Sequence, residues 1–83
     1  MSNGLKQDIS IGKNLKQLRK NAHLTQEQVS AQLQIMGISI STDILAKMEQ
    51  GRYSIKITVL AALKQIYNVD SYDAFFEGIG TAR

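Results

Sequence analysis

The chain of 83 residues has no cysteine, no proline and a single histidine. Without cysteine there is neither a disulfide staple nor a thiolate metal site, so a domain this small must be held by packed helices. Without proline, nothing interrupts helices joined by short connections. His23 lacks the companions that a metal or catalytic centre requires and reads as a connector at a helix-to-helix junction. There is no Gly-rich phosphate loop, and Asp70/Asp73, the one carboxylate pair on a common face, reads as capping residues, so neither an enzyme nor a cofactor is expected. No apolar run approaches the roughly 20 residues needed to span a bilayer, and the N-terminus lacks a charged-then-apolar signal pattern; a cytoplasmic chain is the expectation.

What is present is positive charge, unevenly placed. The net charge is +3. Through Lys56, eight Lys/Arg stand against four Asp/Glu; from Ile57 onward, two basic residues face three acids. A polyanionic partner is therefore expected on the first two-thirds of the chain.

Hydrophobic spacing divides the chain into an arm over residues 1–10, a folded domain over 11–77 and a frayed tail over 78–83. In the arm, disorder is weighed against insertion into a minor groove. Ile11, Leu15, Leu18 and Ala22 form the stripe of a first helix capped by Ser10 or Asp8 and ending near Asn21. Lys13, Lys16, Arg19 and Lys20 lie mostly off that stripe, and a solvated face is the plain reading of the three lysines.

Thr25 is a good N-cap, with Gln28 placed to complete a capping box and Leu24 and Val29 to form a staple; Val29 and Leu33 give a second helix of about two turns its apolar stripe. Ser41 caps a third helix with Ile40 and Leu45 as staple, Leu45 and Met48 inward, and Gly51 as its left-handed stop. Between the two, Ile35, Met36, Ile38 and Ile40 straddle Gly37. They are expected to close the core over the connection, the alternative being an exposed patch for a protein partner. A fourth helix is expected from about Ile57 to Tyr67, ended by Asn68. A short fifth, capped by Asp70 or Ser71, carries Tyr72, Phe75 and Phe76.

The strings LTQEQVSAQL and ILAKMEQGR resemble the phage repressor/Cro family of helix-turn-helix regulators, the xenobiotic-response-element type. The matching positions are Thr25, Gln26, Leu45, Ala46, Glu49 and Gly51. The resemblance implies an all-α, compact five-helix lambda-repressor-like DNA-binding domain, with the helix-turn-helix at helices 2 and 3, in a bacterial or phage-encoded protein. It also implies that Arg19 pairs with Glu49 and ties the first helix to the third. One departure stands out: Gln34 to Ile40 adds about five residues to the short turn usual between such helices, lengthening the second helix and its turn.

A third helix lying in the major groove would present Thr42, Asp43 and Lys47 to base edges. Thr42 suits a base hydrogen bond or a thymine methyl, Lys47 guanine O6 and N7, and Asp43 a cytosine amino group. Asp43 stays open between that contact and simple stabilisation of the helix dipole. Gln26, Ser41, Gln50 and Arg52 are the expected phosphate contacts. The expected partner is double-stranded DNA bearing a palindromic operator bound by a homodimer, with Tyr72, Phe75, Phe76 and Ile79 as dimerisation candidates. The function expected is transcriptional regulation, as a repressor. The rival is a protein-interaction module, an antitoxin or antirepressor-like factor on the same fold.

Overall fold

The computed structural model describes residues 11–77. Four α-helices and a closing 3-10 helix follow one another: α1 (Gly12–Asn21), α2 (Gln26–Ile35), α3 (Thr42–Glu49), α4 (Ile57–Ile66) and the 3-10 helix Tyr72–Phe76. Among the described residues there is no strand. The five-helix expectation is corrected to four α-helices plus one 3-10 turn. Ser71 caps that turn, accepting from the Asp73 N–H at 3.1 Å, but five residues followed by extended backbone at Glu77 are too few to propagate an α-helix.

Each helix contributes the face that its apolar spacing marks. Leu15 from α1, Val29 and Leu33 from α2, Leu45 and Met48 from α3, Val59, Leu60, Ala62 and Leu63 from α4, then Tyr67 and Phe75, form one buried cluster. Burying each large side chain of this kind stabilises by about 1.5–3 kcal/mol. Helix α3 packs on both α1 and α2, α4 packs on α2, and the 3-10 helix packs on α1.

Four helices end in the same way. In each, the residue two beyond the C-cap donates its N–H to a carbonyl five residues back: Leu24 to Arg19, Ile38 to Leu33, Arg52 to Lys47 and Val69 to Lys64. The residue between is left-handed in every case: His23 (φ 61°), Gly37 (84°), Gly51 (76°) and Asn68 (58°). This is the Schellman arrangement, which satisfies the orphan carbonyls of a helix end. Leu24, Ile38 and Val69 tuck against the core. Arg52, in the equivalent place after α3, is exposed.

Three expectations change here. Helix α1 begins at Gly12 with Ile11 in the cap position; Ser10 and Asp8 lie outside the described residues, as do the expected arm and tail. Helix α2 runs ten residues, longer than two turns, taking up part of the lengthened connection. The remainder, Ile38 to Ser41, has no regular secondary structure. Ile38 and Ile40 pack on the core, and the Ser30 hydroxyl holds the segment by donating to the Ile40 carbonyl. Ile35 and Met36 do not join them, being 85% and 41% exposed. The last turn of α2 rotates them past the core edge.

Candidate nucleic-acid interface

Helix α3 is held at both ends by local chemistry. At its start, the Ser41 hydroxyl accepts from the Ile44 N–H at 3.2 Å, satisfying one of the orphan donors of the first turn. Helix α2, which precedes it, starts with a complete capping box: Gln28 N–H to the Thr25 hydroxyl at 3.1 Å and Thr25 N–H to the Gln28 side chain at 2.8 Å. At its end, α3 stops on Gly51 and turns the chain outward through Arg52.

The end of α3 is also where four parts of the molecule meet. Arg19 of α1 donates from Nε to Glu49 Oε2 at 2.7 Å and from Nη2 to Oε1 at 3.1 Å. Its third nitrogen, Nη1, donates to the Leu24 carbonyl at 2.9 Å. Gln26, at the start of α2, donates its amide to Glu49 Oε1 at 3.1 Å. One carboxylate thus ties α1, the α1–α2 turn and α2 to the last residue of α3. The side chains of Arg19 and Glu49 are only 11% and 3% exposed, a desolvated fork in which each group depends on the other. Donating to the Glu49 carboxylate raises the Arg19 pKa above its ordinary value against the opposing effect of burial, so the guanidinium stays charged. Tyr67 lies near this pair. Burial, and then the Glu49 carboxylate, push its phenol far above the usual range, and its hydroxyl is buried without a hydrogen-bond partner.

With Leu45, Met48 and Glu49 turned inward, the opposite face of α3 is open. Asp43, Lys47 and Gln50 are exposed, and Thr42 and Ala46 half-buried. Arg52 is exposed and donates from Nη1 to the Gln50 side chain at 2.9 Å, so the two residues form one polar unit beyond the helix end. Gln26 faces this same end, but its amide is engaged by Glu49. Ser41 is exposed at the other end of α3, its hydroxyl taken by the cap. The two groups of expected DNA contacts, Thr42, Asp43 and Lys47 on the helix and Gln26, Gln50 and Arg52 about its C-terminus, therefore share one side of the molecule with the start of α2.

The aromatic residues at the far end do not form one surface. Phe75 is fully buried in the core and leaves the set of dimerisation candidates. Tyr72 and Phe76 are 41% and 45% exposed, Lys64 lies over the Tyr72 ring at 5.5 Å, and Ile79 is outside the described residues.

Two contributors escaped the sequence reading. A Cβ on Gly12 would stand 2.5 Å from the Glu49 carbonyl oxygen and 2.8 Å from that of Met48, so only a glycine lets α1 approach the end of α3 this closely. Asn14 donates to the carbonyls of Phe75 at 2.8 Å and Glu77 at 3.0 Å, fastening the chain end onto α1. For Asn14 the sole signal was a polar residue beside an apolar stripe, a weak one, and for Gly12 there was none.

Helix α3 is thus capped at both ends, locked from behind through Glu49 and open along its outer face, with the start of α2 held against its last residue. The model of a family described as a helix-turn-helix domain matches residues 10–74. The chain belongs to the helix-turn-helix domain family. Helix-turn-helix domains bind DNA, and DNA binding in transcription regulation is the function this membership carries. Neither a curated protein nor a solved structure matches the chain. Within this helix-turn-helix domain, the Arg19–Glu49 pair spans from α1 to the last residue of α3. Among its described residues, no helix is long and apolar enough to cross a membrane.

Proposed function

We propose that the protein is a sequence-specific transcriptional regulator, acting as a repressor, that reads the major groove of double-stranded DNA with α3. Thr42, Asp43 and Lys47 contact base edges; Gln26, Ser41, Gln50 and Arg52, with the N–H groups opening α2, contact phosphates. The observation that carries the reading is the lock at Glu49. It fixes α3 from its buried side alone, so that Lys47, one turn from the end, and Arg52, just past it, face outward at a set angle. Arg52 occupies a place that is filled by a core-facing aliphatic residue after the other three helices, which suits a cation meant for a phosphate. Gln26 both steadies Glu49 and stands where the start of α2 would meet the backbone.

One such module contacts few base pairs. A homodimer through Tyr72, Phe76 and Ile79, set on a palindromic operator with half-sites roughly 34 Å apart, supplies the missing affinity. Selection of bound duplexes from a random library by the purified chain tests both parts. A recurrent palindromic site is the expected result, and enrichment of no sequence overturns the reading.

A second reading draws support from Ile35 and Met36. These exposed apolar residues, near an open cleft of about 780 Å³ lined by Ile38, Ile40, Met48, Arg52, Tyr53 and Lys56, favour a protein partner, as in an antitoxin or antirepressor-like factor. DNA binding that appears only after a protein partner is added would favour it.

A further inference from the structure

Helix α1 carries four cations and no acid in ten residues. Arg19 is spent on Glu49, the one ion pair among the described residues. Lys13, Lys16 and Lys20 are exposed and unpaired. Lys13 and Lys16 are three residues apart, Lys16 and Lys20 four. Like charges at both spacings destabilise a helix, so an ordinary solvated face would gain from an interposed acid. None is there.

Their direction is set by the residues around them. With Gly12 as origin and about 100° per residue, Leu15 lies at about 300°, Arg19 at about 340°, Lys16 at about 40°, Lys20 at about 80° and Lys13 at about 100°. Leu15 points into the core. Gly12 and Arg19 face the C-terminus of α3. The rotation that passes from the core to the end of α3 therefore arrives next at the lysines, on the side away from the core. Asn14, at about 200°, points the other way and holds the 3-10 segment, with the acids Asp73 and Glu77. Basic and acidic groups are thus separated to opposite sides of α1, and the basic side adjoins Gln50 and Arg52.

We propose that Lys13, Lys16 and Lys20 form a second phosphate-binding surface, gripping the DNA backbone that flanks the groove occupied by α3. This rests on the reading of α3 as the DNA-reading helix. The contact is purely electrostatic, so it adds affinity and salt dependence without adding sequence preference.

The test is equilibrium binding across a range of salt concentrations, using a duplex selected from a random library and a scrambled duplex of equal length. Glutamine matches lysine in helix propensity, so the triple variant Lys13→Gln, Lys16→Gln, Lys20→Gln keeps α1, and it should melt at or above the wild-type temperature once the repulsion is gone. Its salt slope should flatten by about two to three units, at about 0.9 per lost contact, with equal proportional loss on both duplexes. The matching triple arginine variant and Lys64→Gln should keep the wild-type slope. A wild-type slope in the triple glutamine variant overturns the proposal while leaving α3 as reader intact. Failure of the wild-type chain to bind either duplex overturns both.

Discussion

The two ends of α3 are secured by different physics. Its C-terminus is pinned by a buried charged fork, two further hydrogen bonds and a backbone approach so close that only Gly12 permits it. Its N-terminus is reached by four residues without regular secondary structure, held by one serine cap, the Ser30 hydroxyl on the Ile40 carbonyl, and the packing of Ile38 and Ile40. Directional bonds in a desolvated setting fix an orientation and fail abruptly when one member is lost, whereas aliphatic packing at a domain edge yields gradually. The pitch of α3 is therefore set from its end, and the lengthened connection only has to span the gap.

Substitutions can break this contrast in order of size. Glu49→Ala strands a buried guanidinium and should cost about 3–5 kcal/mol, against at most about 0.5 kcal/mol for Asp73→Ala at the exposed acid; equal melting temperatures for the two would remove the lock. Gly12→Ala forces α1 from the end of α3 and should cost about 1–3 kcal/mol in denaturant unfolding. On DNA, Lys47→Ala should lose about 1–3 kcal/mol on the preferred site and relax one base position, while Arg52→Ala weakens all sequences alike and flattens the salt slope by about one unit. Uniform losses in both, measured on cognate and scrambled duplexes, would erase the division between readers and clamps. At the softer end, Gly37→Ala meets no atom within 4 Å and should cost only the left-handed strain of about 1–2 kcal/mol, in chemical denaturation. Ile35→Gln, at a side chain almost wholly in water, should change stability by less than about 0.5 kcal/mol. A larger loss there would mean that Ile35 is covered in solution.

The sequence made the local features legible. Thr25 and Gln28 find each other within one turn, and Gly51 and Asn68 end their helices by backbone preference alone, so no distant contact had to be known. The inward stripes of α2 and α3 follow from spacing for the same reason. Arg19 and Glu49 are thirty positions apart, and only the family resemblance joined them. Features that depend on where one helix lands on another stayed hidden. Gly12 looks like an ordinary glycine until α3 is laid across it, and Asn14 like a surface amide until the chain end returns to it. Phe75 and Phe76 are indistinguishable in composition, yet one fills the core and the other faces water, because a 3-10 turn places successive residues about 120° apart. Ile35 and Met36 continue an apolar pattern beyond the point at which the core ends. The candidate contact residues were legible as a pattern on a helix; what the fold added is the angle at which that helix is presented.

The residues that orient α3 and the residues it displays are different residues. Leu45, Met48, Glu49 and Gly51 do the first, and Thr42, Asp43, Lys47 and Gln50 bear none of it. Its outer face can accordingly be rewritten with little penalty to folding; if α3 reads DNA as proposed, a lineage of such proteins can drift from one target to another by exchanging a few side chains on an unchanged frame.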